Sequence, residues 1–139
     1  MLIKQISIFI ENKSGRLAEV AQILAENNID LIAITISDTT DFGILRFIVD
    51  KPQKAKKLLK DNKFTVNSTE VFGISVADKP GSLADVLSIL AYNSIGVEYM
   101  YAVGKDTNSV VVILRVDNID LAIDILEKNN INVILQNDL

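Results

Sequence analysis

The chain has no cysteine, no histidine and no tryptophan among its 139 residues. Without cysteine there is no disulfide framework and no thiolate nucleophile. Without histidine there is no imidazole base, and the two absences together remove the ordinary zinc site. Most hydrolase mechanisms are excluded on these grounds, and an enzyme would be left with carboxylates, lysine or tyrosine converging in a cleft. Excess positive charge is also missing: the formal net charge is -4 and the isoelectric point is near 4.8. A phosphate-dominated interface would form against that average field, so no nucleic-acid partner is expected. Long apolar runs are absent too, and none approaches the roughly 20 residues that cross a bilayer. The opening Met1-Leu2-Ile3-Lys4-Gln5 lacks the layout of a secretory signal, so the expectation is a cytoplasmic protein with no membrane partner.

What the chain does have is apolar content, 49% of residues, enough to bury a core. That content is organised by a repeat. Lys13-Ser14-Gly15-Arg16-Leu17-Ala18-Glu19-Val20 returns as Lys79-Pro80-Gly81-Ser82-Leu83-Ala84-Asp85-Val86, a shift of 66 positions. Ile23-Leu24-Ala25 then meets Ile89-Leu90-Ala91, and Asn27 meets Asn93. One position further on, Asp50, Ala55 and Leu59 meet Asp117, Ala122 and Leu126. A match over half the chain means duplication, with domains expected at 1–69 and 70–139.

Periodicity gives each half the same order of elements. Ile6, Ile8 and Ile10 alternate with polar or outward neighbours as a strand, ended by the turn Glu11-Asn12-Lys13-Ser14-Gly15. Leu17, Val20, Ala21 and Leu24 recur at helical spacing, and Asn27-Asn28 offers a left-handed stop. Ile29 to Ser37 and Ile44 to Val49 form a hairpin, Pro52 opens a second helix, and Phe64 to Val66 begins a closing strand. The second half repeats this with strands near 71–76, 97–103, 110–116 and 131–135, and helices near 81–92 and 119–128. Each half is therefore βαββαβ. With one apolar stripe per helix, both helices belong on one face of an antiparallel sheet: an α+β protein of two tandem ferredoxin-like modules, their sheets joined side by side.

A strand, a short glycine turn and a small-residue helix, as in Glu11-Asn12-Lys13-Ser14-Gly15-Arg16-Leu17-Ala18 and again in Ala77-Asp78-Lys79-Pro80-Gly81-Ser82-Leu83-Ala84, resembles the signature of ACT domains. The resemblance covers nearly the whole chain, twice, and is to stand-alone tandem ACT proteins with no catalytic domain. It implies a small amino acid held between adjacent modules against the loop from first strand to first helix, no cofactor, and a separate metabolic enzyme as the regulated partner.

Elementary electrostatics points to the same turns. The first N–H groups of a helix lack internal partners and sit at the positive end of its dipole, so Ser14-Gly15-Arg16-Leu17 and Pro80-Gly81-Ser82-Leu83 can each receive a carboxylate. Asn12 and Asp78, next to Lys13 and Lys79, are placed to meet an ammonium. A plainer reading stands beside this one: Gly15 and Gly81 serve backbone geometry only, and Ser14 or Asp78 is a helix cap. The copies are unequal, since Pro80 in place of Ser14 removes a donor and Ser82 in place of Arg16 removes a cation.

On the third element, Ala33, Thr35 and Ser37 face as Tyr99, Tyr101 and Val103 do. Thr35, Ser37 and Asp38, or the two tyrosines, line the pocket in one reading; in the other the tyrosines only pack between sheets or chains. Asp38-Thr39-Thr40-Asp41-Phe42-Gly43 lacks the alternating spacing of a calcium loop and reads as turn chemistry, so no metal is expected. Lys51, Lys54, Lys56, Lys57, Lys60 and Lys63 read as a solvated helix face. Ile44 and Ile48 alternate with Leu45, Phe47 and Val49, giving this strand two apolar faces and an expectation of a homodimer. Besides an amino-acid sensor, the sequence leaves open a ligand-free regulatory subunit acting through protein contacts, and a small enzyme using Lys13, Lys79 or Tyr101.

Overall fold

The structure, a computed structural model, describes every residue except Asn12, Thr39, Thr40, Asp106 and Thr107, and the side chains of all described residues except Asp38 and Lys105. Its elements are β1 (Ile3–Glu11), α1 (Arg16–Glu26), β2 (Leu31–Asp38), β3 (Phe42–Val49), α2 (Pro52–Asp61), β4 (Thr65–Ala77), α3 (Ser82–Tyr92), β5 (Val97–Lys105), β6 (Ser109–Val116), α4 (Ile119–Lys128) and β7 (Asn132–Ile134). The βαββαβ order occurs twice, as the periodicity indicates. The chain divides into two compact units: Lys4–Thr69, and Glu70–Leu139 with Met1–Ile3. Met1 joins the second unit through its carbonyl, which accepts from the Gln136 N–H at 3.1 Å.

In the first unit β1 lies between β3 and β4, with β2 outside β3; in the second β4 lies between β6 and β7, with β5 outside β6. Both arrangements are antiparallel ferredoxin-like sheets. On the helix side of the first, Ile6, Ile8 and Ile10 of β1 meet Leu45, Phe47 and Val49 of β3, Val20 and Leu24 of α1, and Ala55 and Leu59 of α2. The second core is built alike from Phe72, Ile74, Val86, Leu90, Val112, Leu114, Val116, Ala122 and Leu126. Burying each of these larger side chains contributes roughly 1.5–3 kcal/mol.

The duplication extends to backbone conformation. Positive φ recurs at Gly15 and Gly81 (90° and 92°), at Asn28 and Ser94 (56° each), and at Lys63 and Asn130 (69° and 60°), each pair separated by one repeat. Asn28 thus supplies the left-handed helix stop expected of it. Strand irregularities repeat as well: the register shifts between Leu31 and Ala33 and between Val97 and Tyr99.

One element is longer than expected. The sequence suggests one strand beginning at Phe64 and another at Val71, whereas β4 runs unbroken from Thr65 to Ala77. The residues between, Asn67-Ser68-Thr69-Glu70, include no glycine or proline to turn the chain, and extended backbone continues through them. The closing strand is correspondingly short at Asn132–Ile134, and a 3-10 turn, Gln136–Asp138, follows it.

Away from the helices, Ile3, Gln5 and Ile48 are also fully buried, while Phe9 and Phe42 are about half exposed with ring centroids 5.6 Å apart. Among the described residues no buried side-chain nitrogen or oxygen lacks a hydrogen-bond partner. Among the described residues no helix is long and apolar enough to cross a membrane.

Candidate functional site

The two strand-to-helix turns adopt one backbone geometry. After β1, the Lys13 N–H donates to the Glu11 carbonyl at 2.8 Å, the Arg16 N–H to the Lys13 carbonyl at 3.3 Å, and the Glu19 N–H to the Gly15 carbonyl at 3.0 Å. After β4 the same bonds link Lys79 to Ala77 (2.9 Å), Ser82 to Lys79 (3.4 Å) and Asp85 to Gly81 (2.9 Å). Gly15 and Gly81 are the residues preceding each helix, both left-handed, which a side chain would strain. The N-cap residue of both α1 and α3 is this glycine, which has no side chain to accept from a first-turn N–H. The first-turn N–H groups behind each glycine lie at the positive end of the helix dipole. Among the described residues, and apart from the adjoining backbone, no atom lies within 4 Å of the place where a Cβ would project from Gly15 or Gly81. Both turns are open at the surface.

Their electrostatics differ. Lys13 pairs with Glu11 at 2.8 Å, and that hydrogen bond and charge hold the Glu11 carboxyl below its ordinary range. Ala77 replaces Glu11 in the second copy, so Lys79 has no such partner there. Arg16 pairs with Glu19 at 2.8 Å and lies 4.5 Å above the Phe64 ring, covering the start of α1. Ser82 leaves the start of α3 uncovered. Asp78 is tied to the hairpin opposite, its N–H donating to the Asn108 carbonyl at 2.9 Å.

Thr35 and Ser37 stand opposite Arg46 and Ile44 on the face away from the helices. Tyr99 and Tyr101 stand opposite Arg115 and Ile113 on the corresponding face of the second unit. The repeat therefore orients these four side chains as expected, but within the second unit the tyrosines and α3 occupy opposite faces of the sheet. Glu11 pairs with Phe42 and Asp38 with Gly43, so the Lys13–Gly15 turn and the end of β2 leave the same end of the first sheet. Asn12, Thr39 and Thr40 lie outside the described residues, as does the Asp38 side chain. Leu17 is 42% exposed, and Leu83 packs half-buried against the second core.

A model of the ACT domain pair matches residues 1–139. The chain is an ACT domain pair. Among solved structures, protein BT0572 from Bacteroides thetaiotaomicron is similar at 47% identity and TM-score 0.95, over 99% of this chain and 95% of that one. The ligand-free regulatory subunit of aspartate kinase from Thermus thermophilus superimposes with TM-score 0.67 at 18% identity, over 92% and 93% of the two chains. That of Thermus flavus gives 0.66 at 18%, over 91% and 90%. At those identities the kinase subunits share the fold. No curated protein matches the chain. ACT domain pairs are regulatory modules.

Two features of this ACT pair were not singled out in its sequence. Asp50 and Asp117, noted only as repeat matches, accept from the Asp30 and Gly96 N–H groups at 2.9 and 3.1 Å. Lys51 and Lys54, read as part of a solvated face, donate to the Asn28 and Asn27 carbonyls at 2.6 and 2.9 Å, where α1 ends. Alignment of the copies finds the aspartates, but the lysine contacts carry no sequence signal because Asn118 and Leu121 occupy the matching positions.

Proposed function

We propose that this ACT domain pair is a non-catalytic, cytoplasmic effector sensor that binds a small amino acid at its strand-to-helix turns and acts on a separately encoded enzyme as a homodimer. The supporting observation is the pair of helix starts behind Gly15 and Gly81, each with a glycine as N-cap and open space beside it among the described residues. Backbone N–H groups there suit a carboxylate, and glycine lets it approach closely. Lys13, Ser14, Lys79 and Pro80 form the rims, with Asn12 and Asp78 assigned to the ammonium. Thr35, Ser37, Asp38, Tyr99 and Tyr101 are the candidates for recognising the ligand side chain, the tyrosines acting on a ligand held by the other chain of the homodimer, since they face away from α3 in their own unit. The fold shared with aspartate kinase regulatory subunits fits such a role. Ligand binding shifts a partner only through different affinity for two states of the sensor.

A ligand-free regulatory subunit is the alternative reading. It draws on one observation, an apolar strip of Leu17, Leu31 and Ile34 flanking a groove between α1 and β2 lined only by apolar residues.

A thermal-shift screen over the twenty amino acids tests the proposal. A ligand at about 100 times its Kd stabilises the folded state by roughly 2.7 kcal/mol, which is a melting shift of several degrees for a chain of this size. A shift confined to one chemical class supports the sensor. No shift with any amino acid, alongside co-purification of a metabolic enzyme, supports the ligand-free alternative.

A further inference from the structure

The second copy holds a cleft at the place where the first has a covered surface. In the first unit the Arg16 side chain stretches over the Phe64 ring, 4.5 Å from its centroid, and its guanidinium meets the Glu19 carboxylate at 2.8 Å. An aromatic floor, a carboxylate and a cation between them form a closed set, each satisfying the others. One repeat later the carboxylate persists as Asp85, but Ser82 stands for Arg16 and Ile131 for Phe64. The space thereby vacated is a cleft of about 270 Å³ in the second unit, between the end of β4, the first turn of α3 and the connection from α4 to β7.

Its walls are polar. Ser75, Ser82, Asp85, Asn130 and Asn132 all border it. Among the described residues, the Asp85 carboxylate has no cationic partner, and the Asn130 and Asn132 amides bond to no other side chain. Beyond Ser75, β4 has no partner on its β7 side, because the pairing stops at Ser75 with Asn132 and Asn130 turns away with φ 60°. Val76 and Ala77, the last residues of β4, border the same space.

We infer that this cleft binds a small aliphatic primary amine, whose ammonium takes the place that the Arg16 guanidinium fills in the other copy. Asp85 supplies the charge, and Ser82 with the amides of Asn130 and Asn132 supplies acceptors for the remaining ammonium protons and for a hydroxyl or amide on the ligand. A volume of this size admits a molecule of a few heavy atoms beside ordered water. The inference differs from the amino-acid reading in that the ligand needs no carboxylate and sits against Asp85, Asn130 and Asn132; Ser82 alone is common to this cleft and the Gly81 turn.

The test uses the full chain labelled with nitrogen-15 and titrated with ethanolamine, with tetramethylammonium chloride at equal ionic strength as the control. Expected are saturable amide shifts confined to residues 75–77, 82–86 and 130–132, absent with the control. Asp85→Asn, an isosteric change on an exposed helix face, should weaken the affinity at least tenfold while the spectrum stays dispersed. Ser82→Arg should abolish the shifts by supplying the missing cation, and Arg16→Ser should produce new ones around Glu19. Shifts that the control reproduces, that lie elsewhere, or that survive Asp85→Asn unchanged would overturn the inference, as would no saturable shift at all. None of those ethanolamine outcomes bears on ligand binding at the Gly15 turn, and the amino-acid screen decides the zwitterion proposal separately.

Discussion

The Asp117 carboxylate accepts a hydrogen bond from the Gly96 N–H at 3.1 Å, and the Gly96 carbonyl accepts in return from the Asp117 N–H at the same distance. Asp50 and Asp30 repeat the exchange at 2.9 and 3.2 Å. Each pair clamps the entrance of an outer strand, β5 or β2, to the end of its neighbour. A Cβ at position 96 would lie 2.9 Å from the Asp117 Oδ2, so glycine also makes room for the clamp in the second copy.

Replacing Asp50 or Asp117 by alanine should remove one such bond and lower unfolding free energy by about 1–2 kcal/mol, the usual worth of a hydrogen bond to a charged group near the surface. Urea denaturation measures it. Unchanged midpoints in both variants would mean the outer strands are held by the sheet ladder alone.

Glu11 and Lys13 give a pH signature specific to the first unit. The folded carboxyl titrates below its ordinary range because Lys13 bonds to its charged form. A lowered folded pKa adds stability that is present above the unfolded value and lost as pH falls through the folded one. Lys13→Ala should move the Glu11 titration up toward the ordinary carboxylate range, followed by carboxyl-carbon NMR. Ala77 offers no counterpart, so Lys79→Ala should leave acid stability unaltered.

The glycines before α1 and α3 should be sensitive to any side chain despite the free space around them. Gly15→Ala and Gly81→Ala place a Cβ at φ near 90°, at a cost of about 1–2 kcal/mol, without a steric clash. Thermal melts of the two variants should be lowered alike, because the local geometries match.

Equivalent core positions should likewise behave alike. Leu24 and Leu90 are repeat partners buried at 3% and 0% exposure. Their replacement by alanine should cost about 2–5 kcal/mol each, measured by chemical denaturation. A much smaller loss at one position would show that its unit collapses around the vacancy.

Much of this was legible in the residues. The alternation of Ile6, Ile8 and Ile10 and the spacing of Leu17, Val20 and Leu24 place the first strand and helix, and the 66-position repeat carries the second unit with them. The orientation of Tyr99 and Tyr101 with Thr35 and Ser37 also followed from the repeat, since the strand irregularity at Leu31 recurs at Val97. The continuity of β4 through Asn67 to Glu70 was not legible: a polar stretch in extended backbone has the composition of a loop, and only pairing distinguishes the two. Nor was the Arg16–Phe64 contact, which joins residues 48 positions apart and depends on the closing strand lying beside the first helix. The loss of the cation at Ser82 was visible, but the cleft it opens required the simultaneous change from Phe64 to Ile131.

Calorimetric titration of the most stabilising amino acid into the wild-type chain and into Gly15→Val and Gly81→Val variants probes the glycine turns most directly. Expected is saturable binding to the wild type, with loss of a site or of at least tenfold in affinity in one or both variants that still fold. Full affinity and full stoichiometry in both would place the ligand somewhere other than the two helix starts.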